Sequence, residues 1–209
     1  MRKWAGFLLL ALSTSIAAAA EKPKSAAPPT APPARLDPSK LKAFKARSIG
    51  PAVMGGRVSD IAFDLENPYV FYIGFATGGV AKTSNNGGTF QGVFEKESVA
   101  SIGAVAVAPS DAKTVWVGSG EGNDRNSSAW GDGVYLSTNG GETWSNVGLK
   151  DSKAIARIVV DPKDPKTAWV AALGNLWAPG GERGLYVTRD SGKTWRAPLQ
   201  APAADAPMA

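Results

Sequence analysis

Short hydrophobic runs recur along the chain in pairs, and a polar turn containing Asp and Pro or Ser separates the two runs of each pair. The three pairs read IAFDLENPYVFYIG at 61–74, VAVAPSDAKTVWVG at 105–118 and IVVDPKDPKTAWVA at 158–171. Val, Ile and aromatic residues favour strands, and Asp with Pro is typical of a tight turn. The pattern therefore predicts three β-hairpins.

A second motif follows each hairpin. It reads TSNNGGTF at 83–90, STNGGETW at 137–144 and TRDSGKTW at 188–195, so its central Asn or Asp recurs after 54 and then 51 residues. Each unit then holds four candidate strands, which in the second unit are 101–107, 114–118, 133–137 and 142–148. Four strands in a repeat of about 50 residues are typical of a β-propeller blade. We predict an all-β fold of three blades, at 48–97, 98–150 and 151–199.

The residue types of this motif indicate a turn between the third and fourth strands of a blade. A side-chain oxygen of Asn or Asp can accept backbone hydrogen bonds, and Gly can adopt positive φ. The final aromatic residue is predicted to pack beneath its own blade and anchor the hairpin, although a polar ligand site in the turns is an alternative. The predicted structural positions are Thr83, Asn85, Gly87, Phe90, Ser137, Asn139, Gly141, Trp144, Thr188, Asp190, Gly192 and Trp195.

The motif resembles the Asp-box of the bacterial neuraminidase repeat, and the resemblance covers the chain from Ile49 to about Leu199. Taken with its glycine-rich loops, the sequence is most similar to large exported bacterial proteins described as sortilin-type or glycosyl-hydrolase-like repeat proteins. The resemblance implies a β-propeller and leaves a glycoside hydrolase as one functional alternative.

Two enzyme classes with Asp-boxes can be compared with the residues present. Resemblance to sialidases implies an Arg triad, a Tyr/Glu pair and an acid Asp, of which only Arg57 has a loose match. Resemblance to xyloglucanases implies a catalytic Asp two residues before a Gly-Gly in the first blade, where this chain has Ala76 before Gly78 and Gly79. Inverting hydrolysis requires two carboxyl groups, so the loss of one argues against that route.

The loops opposite the Asp-box turns differ most between the units. They join the second and third strands at 75–79, 119–133 and 173–184, and the two long ones carry Trp, Arg and carboxylates on a rigid scaffold, as binding loops do. As the alternative, the tryptophans fold the loops onto their own blades and the charges are solvated or paired. The candidate ligand residues are Arg57, Glu121, Asn123, Asp124, Arg125, Trp130, Asp132, Asn175, Trp177, Glu182 and Arg183.

The N-terminus has the features of a secretory signal. Arg2 and Lys3 precede an apolar run at 4–12, and three alanines end at Ala20. We predict a signal peptide at 1–20 that is cleaved near Ala20, so that the protein is exported to the periplasm or secreted and has no stable membrane span. The alternative is that the segment is not cleaved and remains as a membrane anchor. Residues 21–47 form a Pro/Ala/Lys-rich linker, and 200–209 a disordered tail.

Composition excludes several kinds of chemistry. The chain has neither Cys nor His, so within it disulfides, Ser-His-Asp and Cys-His catalysis and His-ligated zinc are excluded. Residues 1–47 hold nine of the 23 basic and two of the 18 acidic residues, which leaves 14 basic and 16 acidic residues and a net charge of −2 for the rest. A nucleic-acid partner is therefore not expected, and no metal or cofactor is predicted.

Three blades are fewer than the four to eight of closed propellers. The sequence therefore predicts either a fragment of a longer chain or an assembly in which other subunits supply the missing blades. The favoured function is a binding or assembly module that recognises a protein, peptide or glycan through its loops. The alternatives are a glycoside hydrolase and a structural scaffold.

Overall fold

The computed structural model describes residues 56–123 and 125–200. The signal at 1–20, the linker at 21–47, Asp124 and the tail beyond Gln200 lie outside the described residues. Twelve strands form three four-stranded antiparallel sheets, each ordered as in the chain, which confirms the all-β prediction. The described residues contain no helix long and apolar enough to cross a membrane.

Each predicted unit corresponds to one sheet, which we call a blade. Blade 1 comprises β1 (Val58–Phe63), β2 (Phe71–Phe75), β3 (Gly79–Thr83) and β4 (Gln91–Gly92). Blade 2 comprises β5 (Ile102–Ala108), β6 (Asp111–Ser119), β7 (Val134–Ser137) and β8 (Ser145–Asn146). Blade 3 comprises β9 (Ile155–Val160), β10 (Ala168–Ala172), β11 (Gly184–Thr188) and β12 (Arg196–Gln200).

The fourth strand of blade 2 is shorter than the sequence predicted. A strand was expected at 142–148, but β8 has two residues. The backbone N–H of Thr143 donates to the side chain of Asn139 at 3.0 Å, so the turn takes up part of the expected strand. Gly148, with φ of 117°, then redirects the chain.

The turns between third and fourth strands, which we call box turns, share one hydrogen-bond pattern. The hydroxyl of Thr83 accepts from the Gly87 N–H at 3.0 Å, and the equivalent bonds in blades 2 and 3 are both 2.9 Å. Oδ1 of Asn85 accepts from the Thr89 N–H at 2.9 Å, and its counterparts at Asn139 and Asp190 are 3.0 and 2.9 Å. The glycines at 87, 141 and 192 have φ of 85°, 88° and 80°.

The hydrophobic cores lie between blades. Tyr72 of β2 and Trp116 of β6 occupy equivalent positions by strand register, and both are buried beneath the next blade. The Tyr72 hydroxyl donates to the Gly140 carbonyl of blade 2 at 2.9 Å, and Trp116 Nε1 donates to the Pro165 carbonyl of blade 3 at 3.2 Å. Each blade thus buries apolar area only by stacking on its neighbour.

The tryptophans of the box turns bind the preceding blade. Trp144 Nε1 donates to the Val93 carbonyl of blade 1 at 2.7 Å, and Trp195 Nε1 donates to the Val147 carbonyl of blade 2 at 2.8 Å. The expectation that each ring packs beneath its own blade is therefore corrected, because the hydrogen-bonding partner lies one blade earlier. Phe90, the first aromatic of the series, instead contacts Phe71 edge-on at 5.9 Å.

Candidate functional site

The long loops lie at the ends of the strands opposite the box turns. Antiparallel strands reverse direction at each step, so the connections between second and third strands emerge together, beside the links that enter each first strand. We call this surface the loop face. In the described residues it comprises the connections at 76–78, 120–123, 125–133 and 173–183 and the links at 56–57, 93–101 and 147–154.

Arg57 and Glu121 form an ion pair that joins blades 1 and 2. The Glu121 side chain is fully buried, whereas that of Arg57 is partly exposed. The Glu121 backbone N–H is held by the hydroxyl of Ser101 at 3.0 Å, which fixes the start of the long loop. The expectation that Glu121 contacts a ligand does not fit this burial, because a carboxylate without solvent access cannot reach a surface partner.

Asp132 anchors the end of the same loop. Its carboxylate accepts from the Tyr135 hydroxyl at 2.8 and 2.9 Å and from the Ser98 hydroxyl, in the link from blade 1, at 2.6 Å. Burial raises the pKa of Tyr135. Burial, followed by the negative charge of Asp132, also raises the pKa of Glu97. The Asp132 oxygens are therefore engaged in internal contacts.

Trp130 projects from the loop of blade 2. Its side chain is 53% exposed, and Nζ of Lys153 lies 5.6 Å from the ring centroid, within the range of a cation–π interaction. The backbone fixes this arrangement, since the Gly131 N–H donates to the Lys153 carbonyl at 2.7 Å. Lys153 also pairs with Asp151 at 3.2 Å.

Asp151 connects the same link to the loop of blade 3. Its N–H donates to Oε2 of Glu182 at 2.9 Å, and its carbonyl accepts from the Glu182 N–H at 3.2 Å. Arg183 closes that loop by donating to the Asn175 carbonyl at 2.7 Å. The Asn175 side chain accepts from the N–H of Trp177, whose ring is 47% exposed.

The structure therefore divides the predicted residues into two groups. Six make internal contacts: five through the charged groups of Arg57, Glu121, Asp132, Glu182 and Arg183, and one through the side-chain amide of Asn175. The exposed remainder among the described residues consists of Asn123, Arg125, Trp130 and Trp177. Lys153 and Asp151, which sequence reasoning missed, lie between the two loops, and their position depends on a blade-to-blade contact that no local pattern encodes.

Ala76 stands where the resemblance to xyloglucanases implies a carboxylate. It is buried, and its N–H donates to the Arg57 carbonyl at 2.8 Å. Among the residues that the structure describes, no three His, Cys, Asp or Glu side chains are grouped so that they could hold a metal ion.

A cleft of about 740 Å³ opens away from these residues, between the outer edge of blade 1 and the box turn of blade 2. Phe90, Trp144, Lys82 and Lys96 are among its lining residues, together with acidic side chains such as Glu95. None of the candidate ligand residues lines it. Sequence reasoning assigned Phe90 and Trp144 to structure, and the cleft arises where two separate blades meet.

Comparison with known proteins gives one curated relative and several similar folds. No protein-family model matches the chain. An oligoxyloglucan-reducing end-specific xyloglucanase of Emericella nidulans is 32% identical over 98 residues, which cover 44% of this chain and 10% of that enzyme. The chain therefore spans a small part of the length of the relative that it matches.

Solved structures give the fold. An ancestral GH74 enzyme aligns over 77% of this chain and 21% of its own, with a TM-score of 0.55 and 22% identity. The GH74 enzyme of Niastella koreensis aligns over 67% of this chain and 22% of its own, with a TM-score of 0.50 and 23% identity. The three described sheets are thus blades of the β-propeller type, similar in fold to part of these glycoside hydrolases.

Proposed function

We propose that the chain is a β-propeller binding module that recognises a glycan through the loop face. The observation that carries this proposal is the exposure of Trp130 and Trp177 on two loops tied to one link, while the carboxylates of Glu121 and Asp132 are engaged internally. The C–H faces of a sugar ring pack on exposed indole rings, because both surfaces are apolar. Lys153 and Asp151 supply polar groups between the loops.

A second candidate function is hydrolysis of a glycan. It is supported by the 32% identity with a xyloglucanase and the fold shared with GH74 enzymes. Against it, Ala76 stands at the position of one implied carboxylate, and an inverting mechanism needs two. Binding without turnover therefore fits the described residues better.

Calorimetric titration with neutral oligosaccharides, including xyloglucan fragments, and with peptides tests the binding proposal. We expect one glycan class to bind, and Trp130→Ala or Trp177→Ala to weaken that binding by about tenfold. Tyr69→Ala is the matched control, because Tyr69 is also exposed but lies in a turn at the other end of the strands. Binding of peptides alone, or glycan affinity unchanged by both Trp variants, would contradict the proposal.

Release of reducing ends from the same glycans distinguishes binding from hydrolysis. We expect none above a blank. Turnover that persists after purification and disappears when an acidic residue of the loop face is replaced would favour the hydrolase.

We also propose that the chain is exported and belongs with the sortilin-type Asp-box proteins. The basic and apolar N-terminus, the Pro-rich stretch at 21–47 and the three box turns support this view. Mass spectrometry of the protein recovered from cells should give a mature N-terminus near Glu21. An intact Met1 in a cytosolic fraction would contradict export.

A further inference from the structure

The cleft between blades 1 and 2 separates the outer strand of one blade from the box turn of the next. Its volume of about 740 Å³ lies in the range of ligand sites. One wall consists of β4 with the residues that follow it, at 91–97, and the other of the box turn at 140–144. The lining residues all lie between Lys82 and Trp144, well inside the described part of the chain. The cleft is therefore a second candidate binding site.

Strand β4 presents an unpaired edge to the cleft. It is the last strand of its sheet and pairs only with β3. The Val93 N–H donates to the Val80 carbonyl at 2.9 Å, and hydrogen-bonded and non-hydrogen-bonded pairs alternate along antiparallel strands. Gly92, opposite Ala81, therefore directs its N–H and carbonyl away from β3. In the described chain no hydrogen bond from outside the sheet reaches either group. An extended peptide can pair with such an edge.

The free charges along the cleft are mainly acidic. Glu95, Glu97 and Glu142 line it together with Lys96, and none of these four side chains forms an ion pair within the described chain. Burial, followed by the negative charge of Asp132, raises the pKa of Glu97. A cation in the cleft would offset that repulsion, because an opposite charge favours the ionised carboxylate. The charges therefore favour a positively charged ligand.

The other lysine of the cleft is used internally. Nζ of Lys82 donates to the Gly140 carbonyl at 2.8 Å and lies 5.3 Å from the centroid of the Tyr72 ring. By strand register Lys82 is the equivalent of Leu136, which is buried between blades 2 and 3. Its ammonium group therefore holds the box turn of blade 2 at a position that is apolar in the next blade.

The junction between blades 2 and 3 differs at the positions that matter here. Asn146 stands at the position of Gly92, and its side-chain amide turns inward to donate to the Asp132 carbonyl at 3.0 Å. Lys193 stands in the third box turn at the position of Glu142. The box turns share their hydrogen bonds, so the fold itself requires neither a glycine in the outer strand nor an acidic residue in the turn.

We propose that the cleft binds an extended basic segment of a partner protein. The segment pairs its backbone with Gly92 as an added strand at the edge of blade 1. Its Lys or Arg side chains face the carboxylates of Glu95, Glu97 and Glu142. None of the residues that we propose to bind a glycan lines the cleft, so the two ligands bind independently.

Fluorescence anisotropy with three labelled octapeptides tests the site on the full chain. The first peptide alternates Lys and Val, the second has Glu in place of Lys, and the third is the first with N-methyl groups on its central four residues. We expect the basic peptide to bind, with an affinity that falls as salt is added, and the acidic peptide not to bind. N-methylation removes the backbone pairing and should weaken binding by about tenfold.

Substitutions in the cleft provide the second test. Glu95→Gln combined with Glu142→Gln should weaken binding of the basic peptide by about tenfold, because it removes two of the free carboxylates. Glu66→Gln is the matched control, since Glu66 is an exposed carboxylate in the turn between β1 and β2 and does not line the cleft. Circular dichroism checks that each variant keeps the wild-type β spectrum.

The proposal is overturned if the basic peptide does not bind, if the acidic or N-methylated peptide binds as tightly, or if Glu66→Gln weakens binding as much as the double variant does. Spermine serves as a competitor, and an affinity equal to that of the peptide would show a site for small amines and equally overturn the proposal. Failure of the wild type to bind any glycan, with peptide binding intact, would contradict only the function proposed for the loop face.

Discussion

The carboxylate of Glu121 lies out of reach of solvent, and the guanidinium of Arg57 compensates its charge across the boundary between blades 1 and 2. A buried ion pair costs desolvation energy, yet removing one partner leaves a buried charge uncompensated. At the scale of single residues, this pair therefore determines how stably the loop of blade 2 is held against blade 1, independently of any ligand.

We predict that Arg57→Ala lowers the free energy of unfolding by about 3 kcal/mol, near the lower end of the range for broken buried pairs because Arg57 is partly exposed. The double variant Arg57→Ala with Glu121→Gln should recover much of that loss. Urea denaturation measures both, with Arg189→Ala as an exposed control. A double variant as unstable as the single one would show that the lost charge is not the cause.

The indole N–H groups of the box turns provide a second residue-scale prediction. Trp195→Phe keeps an aromatic ring but removes the hydrogen bond to Val147, so we expect a loss of about 1 kcal/mol, whereas Trp195→Ala should cost about 3 kcal/mol. Trp130→Phe serves as the control because Trp130 is exposed and its indole makes no protein hydrogen bond within the described chain. Equal losses of stability for Trp195→Phe and Trp195→Ala would contradict the prediction that the hydrogen bond and the packing of the ring contribute separately.

At the scale of elements, the third box turn differs from the other two because it has a carboxylate. The Thr194 hydroxyl donates to Asp190 at 2.6 Å, and hydrogen bonds from Thr194 lower the pKa of Asp190 from 3.8 to about 2. In the first two turns the amides of Asn85 and Asn139 donate to the hydroxyls of Thr89 and Thr143 instead. The turn geometry is thus shared, while only the third turn has an ionisable side chain as its central acceptor.

This difference predicts a pH effect. Because the folded pKa of Asp190 is depressed, its ionised form stabilises the turn above the unfolded value of 3.8, and that contribution is lost as the pH falls through about 2. Asp190→Asn should therefore make the melting temperature less sensitive to pH in that window. Glu142→Gln, an exposed substitution in the second box turn, is the control. An unchanged pH profile for Asp190→Asn would refute the assignment.

At the scale of the whole molecule, blade 2 is covered on both sides, whereas blades 1 and 3 each have an open face in the described chain. Local opening needs less energy where fewer apolar contacts must be broken. We predict that amide hydrogen exchange is slowest in β5, β6 and β7. Protection spread evenly over the three blades would contradict this order.

The sequence by itself determined the repeat, the strand count and the chemistry of the box turns. These features depend on residues close together in the chain: alternating apolar runs, a turn acceptor such as Asn85 and a glycine such as Gly87 with positive φ. The same local information placed the Trp144 ring beneath its own blade, which the structure corrects, because its partner Val93 precedes blade 2 in the chain.

Only the tertiary structure decided which loop residues remain available to a ligand. Glu121 and Trp130 belong to one polar, glycine-rich loop, yet one is buried against Arg57 and the other is exposed beside Lys153. The physical reason is that burial and charge compensation depend on distances between blades, whereas a repeat motif specifies contacts within a single blade.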